Sequence, residues 1–186
     1  MTSFADKPTL VGERVLLRPI AAADAAYLWH DLHDPEATRL TGTHATFTRE
    51  QIDQWCATRA EQTDRLDLAV VDRATGEWAG EVVINDLDTD NRCCGFRIAL
   101  SANARNRGLG TEATRMIVDY VFDQVDDPPL HRIELEVYAF NPRAAAVYER
   151  VGFRREGVLR DSLWWDGEFH DTVAMSILRT DRTAGE

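Results

Sequence analysis

The chain has 186 residues, 44% hydrophobic and 28% charged, the size and make-up of one globular domain spanning residues 1–186 with a core of its own. A formal net charge of −11 disfavours nucleic acid and anionic lipid as partners, because both need a positive field, and it leans toward a cationic substrate. No stretch approaches the roughly 20 apolar residues of a membrane span and MTSFADKPTL has no signal-peptide run, so a cytoplasmic protein that does not bind membranes is expected.

In chain order, RVLLRPI reads as a strand ended by Pro19, and AADAAYLWHDL as a helix that stops before Pro35. A second helix starts at Thr48, where Gln51 completes a capping box, and runs through TREQIDQWCATRAEQ. Strands follow at LDLAVVD, EWAGEVVIND and CCGFRIAL, the first two joined by the turn residues from Ala74 to Gly76. After a loop, TEATRMIVDYVFDQV sets Ala113, Met116, Ile117, Tyr120 and Val121 on one helical face. The strand RIELEVY leads into NPRAAAVYERVGF, a helix with Asn141 as cap, Pro142 in its first turn and Gly152 past its end. Strands at RREGVLRD and EFHDTVAMSIL complete the order, with a frayed tail expected from about residue 180. Runs of antiparallel-looking strands with helices between them imply an α/β (α+β) domain with a mixed sheet.

Two clusters invite a metal or redox reading and lose it. Cys56, Cys93 and Cys94 form neither an even disulfide framework nor a C-x-x-C knuckle and read as reduced thiols. His30 and His33 in WHDLHD lack a third ligand in the sequence and read as a solvated helix face, so no metal is expected.

The loop RNRGLGTEA carries more. Gly108, Gly110 and Ala113 satisfy the dinucleotide fingerprint G-x-G-x-x-G/A, but that fold needs its first glycine directly after a strand. Here seven residues separate Gly108 from the strand end at Leu100, and several strands come earlier. The loop suits a pyrophosphate instead: amides at a helix start point at the anion, glycines let the backbone approach, and Arg105 and Arg107 supply positive charge.

These residues resemble the GNAT superfamily of acyl-CoA-dependent N-acetyltransferases. The signature R/Q-x-x-G-x-G/A is matched by Arg105, Gly108 and Gly110, and a second element by Asn141, Tyr148, Gly152 and Phe153. ERVLLRPI at the start and EGVLRDSLWWDGEFHDTVAMSIL at the end are similar to the RimJ/RimL branch, which acetylates ribosomal proteins. The resemblance implies a GNAT fold, a central mixed and mostly antiparallel sheet of about seven strands flanked by about four helices. It also implies acetyl-CoA as cosubstrate, held by Ile98, Leu100, Arg105, Asn106, Arg107, Gly108, Leu109, Gly110, Thr111 and Asn141, with a backbone amide of the strand ending at Leu100 meeting the oxyanion.

Acetyl transfer to an amine needs a base for the ammonium and an acid for the departing thiolate. The resemblance nominates Glu136 as base; strand alternation puts it with Glu134 and Tyr138 on the face away from Ile133, Leu135 and Val137, which also fits a merely solvated carboxylate. Tyr148 is the expected proton donor, its residue-level alternative being a ring packed in the core. The sequence departs from the branch at Cys93, where a glutamate is common, and at Ala144, where a serine is. By resemblance the acceptor is a protein or peptide N-terminal amine; a polyamine, amino sugar or aminoglycoside is the alternative, and a non-catalytic acyl-CoA-binding module the third reading. Trp164 and Trp165 fit an acceptor groove or a homodimer interface equally well.

Overall fold

A computed structural model of the chain describes residues 3–183. Eight strands form one sheet: β1 (Leu10–Val11), β2 (Val15–Pro19), β3 (Leu66–Asp72), β4 (Trp78–Asp88), β5 (Cys93–Leu100), β6 (Arg132–Tyr138), β7 (Arg154–Trp165) and β8 (Glu168–Leu178). Their order is β1-β2-β3-β4-β5-β6-β8-β7. Every neighbouring pair is antiparallel except β5 and β6, which run parallel over Cys93 to Arg132, Cys94 to Ile133 and Gly95 to Glu134. Beyond those three pairs β5 continues to Leu100 and β6 to Tyr138 without bonding each other, so the sheet splits into a wedge open at the carboxyl ends of both strands. Ligand crevices in open sheets form at such ends.

Six α-helices complete the fold among the described residues: α1 (Ala25–Asp31), α2 (Pro35–Thr41), α3 (Arg49–Thr58), α4 (Leu109–Gln124), α5 (Pro142–Val151) and α6 (Arg179–Thr183). The fold is thus the expected GNAT α/β arrangement with one strand and two helices more than the sequence implied. None of these helices is long and apolar enough to cross a membrane.

Helices α4 and α5 cover one face of the sheet. The core there joins Leu68, Val82 and Phe96 of the sheet to Ile117, Val121 and Phe122 of α4 and Tyr148 of α5. Full burial of an aliphatic or phenylalanine side chain is worth about 1.5–3 kcal/mol, so this face carries most of the anchorage of α4. On the opposite face a smaller cluster seats α1 and α3 through Leu28, Ile52 and Cys56 on Ala69, Val71 and Trp78. Residues Ile133, Leu135 and Val137 of β6 are buried and Glu134 and Glu136 exposed, which is the alternation expected.

Several boundaries differ from the sequence reading. Helix α3 keeps its capping box of Thr48 and Gln51 but ends at Thr58, followed by a 3-10 turn. Helix α4 begins two residues before Thr111, because Gly108 takes a left-handed φ of +80° as its cap. Helix α2 lies where no element was expected. Asp34 caps it, Pro35 opens it and Gly42 ends it at φ +63°. The tail does not fray at 180: the Asp181 carboxylate accepts the Leu178 amide at 3.0 Å and pairs with Arg154 at 2.9 Å, while Arg182 pairs with Asp119 and Asp123. Residues 184–186 of that expected tail lie outside the described residues.

Candidate active site

The loop between β5 and α4 carries the glycines of the expected anion site, and its backbone turns sharply there. Asn106 at φ +63° and Gly108 at φ +80° both sit in the left-handed region, an arrangement that turns nearby N–H groups toward one side, ahead of the 16-residue helix α4 and its positive dipole end. A Cβ on Gly108 would lie 2.8 Å from Arg14 Nη1, and one on Gly110 would lie 3.0 Å from Leu100 Cδ1. The second glycine thereby lets the first turn of α4, including Thr111, seat on the end of β5. Asn106 Oδ1 accepts from Arg143 Nη1 at 2.6 Å, tying the loop to the start of α5. Arg107 pairs with Asp72 at 2.5 Å and keeps half of its side chain in solvent. Beside it Arg14, Arg73, Leu109 and Asp72 line an open groove of about 480 Å³.

Arg105 behaves differently from the expectation that its side chain faces the anion. Its guanidinium donates from Nε to the Leu100 carbonyl at 3.1 Å, from Nη1 to Glu36 at 2.6 Å and from Nη2 to Asp34 at 3.2 Å, and only 13% of the side chain is exposed. Two carboxylates from α2 and its cap already occupy the charge. The sequence could not reveal this, since the partners lie 69 and 71 residues away.

Tyr148 and Glu136 flank the wedge on opposite faces. Tyr148, on α5, is buried against Phe96 of β5 in an edge-to-face contact at 5.9 Å, one residue past the last β5–β6 pair, and against Phe153 at 5.9 Å. Burial alone holds its phenol well above the ordinary tyrosine range, so the proton stays on at neutral pH. The ring is part of the core and the hydroxyl carries its proton. Glu136, exposed on the other face of β6, lies two residues past the last pair. Ile98 and Leu100 are half-buried on the Tyr148 face at the edge of the core. Asn141 Oδ1 accepts the Ala144 amide at 3.2 Å, so the cap role is realised.

On the Glu136 face, Arg132 binds Glu134 at 3.0 Å and both oxygens of Glu156 at 2.8 and 2.6 Å; with Ser176, it holds the Glu156 carboxyl down to about 2. The three cysteines are free thiols. Cys93 is half-buried at the start of β5, its thiol raised mainly by desolvation. His33 Nδ1 is 2.8 Å from the Trp29 carbonyl and its ring lies against Trp29, a local helix contact.

Three features near the wedge escaped the sequence reading. Asp31 of α1 accepts from Trp78 Nε1 at 2.8 Å and Ser101 Oγ at 2.6 Å, pinning the end of β5. Glu81 of β4 lies opposite Ala99 of β5 with 12% of its side chain exposed, one oxygen 3.9 Å from Arg97 and the other buried without a hydrogen-bond partner, and desolvation raises its carboxyl above the usual range. A lone glutamate in WAGEVVI was the available signal. The third is an aromatic rim: Tyr138 on Phe140, Phe140 edge-on to His170, Arg39 of α2 4.1 Å above Phe140, and His44 against Trp165. The tryptophan pair thus divides, Trp165 toward the rim and Trp164 outward onto Phe169.

A family model described as "Acetyltransferase (GNAT) domain" matches residues 14–154. The chain belongs to the GNAT family. Among curated proteins it is 28% identical to the uncharacterized N-acetyltransferase p20 of Bacillus licheniformis over 93% of this chain and 97% of that one. It is 25% identical to the spermidine N(1)-acetyltransferase of Escherichia coli K12 over 89% and 86%. A putative ribosomal N-acetyltransferase, YdaF of Bacillus subtilis, is 30% identical over 57% of this chain and 56% of its own length. Among solved structures, the spermidine N-acetyltransferase of Vibrio cholerae in complex with CoA and spermine superposes with a TM-score of 0.83 at 20% identity, covering 92% and 99% of the chains. A GCN5-related N-acetyltransferase of Brucella melitensis superposes with a TM-score of 0.78 at 25% identity, covering 98% and 84%. The protein is an N-acetyltransferase of GNAT type using acetyl-CoA.

Proposed function

We propose that the wedge is where acetyl-CoA meets a primary amine, with Tyr148 as acid and Glu136 as base. The observation that carries this reading is the placement of the two groups on opposite faces of the one break in the sheet, a break flanked by the loop of Asn106 to Thr111. The loop amides hold the pyrophosphate, Ile98 and Leu100 present backbone to the pantetheine arm and the thioester carbonyl, and Asn141 lies beside that arm. Glu136 takes a proton from the ammonium, directly or through water. The neutral nitrogen attacks the thioester carbon and the carbonyl becomes an oxyanion met by an amide of β5. The carbon–sulfur bond then breaks, the attacking nitrogen releases its second proton to water, and the Tyr148 proton passes to the thiolate, giving the acetylated amine and CoA. Burial keeps the proton on the phenol until the thiolate forms, so the hydroxyl is available as a donor at that last step. Tyrosine is recharged by a proton from solvent.

For the acceptor, a small polycationic amine is favoured by one finding: the spermidine N(1)-acetyltransferase of Escherichia coli K12 aligns over 89% of the chain, while the ribosomal relative aligns over 57%. The net charge of −11 and the carboxylates of the Glu136 face agree with a cationic acceptor. A peptide N-terminus, the acceptor expected from the sequence, remains the second reading, supported by that ribosomal relative. Mass spectrometry after incubation with acetyl-CoA and spermidine, spermine, an aminoglycoside and peptides of increasing length decides between them. Acetylspermidine or acetylspermine as the dominant product is expected. Peptide products whose kcat/KM rises with length would reverse the assignment of acceptor and leave that of the cofactor intact.

A further inference from the structure

We infer that Arg105 couples the donor site to the acceptor-side helix α2: Asp34 and Glu36 compete with the CoA pyrophosphate for its charge, so donor binding loosens α2 at the rim. The inference rests on the reading of the loop as the pyrophosphate site. Its basis is how α2 is held. The helix has seven residues and none is buried, so no apolar core fixes its position. At its start the anchors are the ion pairs of Asp34 and Glu36 with Arg105. At its far end they are Arg39 over Phe140 and the close approach of Gly42 to the Tyr138 hydroxyl, both on the aromatic rim.

Arg105 belongs to the loop and to α2 at once. Its Nε bond to the Leu100 carbonyl keeps the guanidinium at the mouth of the wedge, one residue from Asn106, where the loop amides begin to turn. With the donor absent, one cation faces two carboxylates. A pyrophosphate at the start of α4 adds two negative charges to the same neighbourhood, repelled by Asp34 and Glu36 and attracted by the arginine they share. The three anions are therefore linked: whatever draws Arg105 toward the phosphates weakens its hold on α2, and by reciprocity the hold on α2 weakens CoA binding by the same factor. Because the other end of α2 lies on the rim, the acceptor meets a looser helix once the donor is in place. Arg105 is then a positioning residue for the acceptor side, in addition to whatever contact it makes with CoA.

Two readouts test this, with CoA itself as the probe. Glu36 is 63% exposed in its side chain, so Glu36→Gln removes one competitor without disturbing a core. Calorimetry is expected to show CoA bound roughly three- to fivefold more tightly by Glu36→Gln than by the unmodified protein, the scale of one exposed ion pair. Asp53→Asn, which removes a like charge from an exposed pair on α3, is expected to leave the CoA Kd unchanged. Hydrogen exchange of the amides of residues 38–43 is expected to quicken when CoA is added to the unmodified protein, and to respond less in Glu36→Gln. An unchanged or weakened CoA Kd in folded Glu36→Gln, an equal gain in Asp53→Asn, or slower exchange of α2 on adding CoA would each overturn the coupling. Failure of the unmodified protein to bind CoA would instead remove the reading of the loop on which the coupling rests.

Discussion

Helices α4 and α2 both adjoin the loop after β5, α4 as its continuation and α2 through Arg105, and they are held in opposite ways. Helix α4 runs 16 residues and buries Leu109, Ala113, Thr114, Ile117, Val118, Val121 and Phe122, whereas α2 runs seven residues and buries none. One is part of the core, so the amides of its first turn, proposed above to meet the donor, are held in place. The other is a surface element fastened by charge and by ring contacts at the aromatic rim. The contrast separates two requirements of the chemistry. Orientation of a thioester needs a rigid frame, since small displacements of reacting atoms are costly. Admission of an acceptor needs an element that moves cheaply, and such elements come from the low-stability end of a fold.

The largest effect expected from this contrast is in the core under α4. Phe122→Ala should destabilise the protein by about 3–5 kcal/mol, read from the urea midpoint, because the ring is fully buried and its loss leaves a cavity. A loss below about 1 kcal/mol would mean that α4 is no more firmly seated than α2. At the loop itself, Gly108→Asp puts a side chain at φ +80° and a negative charge where the anion is placed. CoA binding measured by calorimetry should weaken by about tenfold or more, while the circular dichroism of the fold is retained. Wild-type affinity in that variant would take the donor site elsewhere. The smallest effect falls on α2: the same Glu36→Gln change that tightens CoA binding should cost under about 1 kcal/mol of global stability, since an exposed pair is screened by solvent.

The same contrast explains what could be read in advance. The start of α4 was legible to within two residues because its constraints are local: glycines where φ is positive or backbone approaches closely, then an apolar face at helical spacing. Helix α5 was legible for the same reason, through Asn141, Pro142 and Gly152. Helix α2 carries comparable punctuation in Asp34, Pro35 and Gly42, but seven residues with no buried face give no periodicity to find. The two-residue strand β1 was too short to register. Arg105 was read by its motif, and its actual partners are long-range contacts that no local pattern encodes. Tyr148 and Glu136 were nominated through the family resemblance, while the wedge between them depends on where β5 and β6 stop pairing. That is a property of the assembled sheet. The carboxyl-terminal helix α6 was missed because its anchors, Arg154, Asp119 and Asp123, lie on other elements.

In the proposed transfer at the wedge, Tyr148 gives up its proton as the thiolate leaves. Steady-state kinetics of Tyr148→Phe with acetyl-CoA and whichever amine the acceptor panel selects tests that step alone, since the ring and its contacts with Phe96 and Phe153 are kept. The predicted result is a kcat lowered by about 10²- to 10⁴-fold with the KM for acetyl-CoA unchanged, the pattern of a group that acts in the transition state. A kcat within about threefold of the unmodified enzyme, under 1 kcal/mol of barrier, would contradict it and leave Tyr148 as a core residue only.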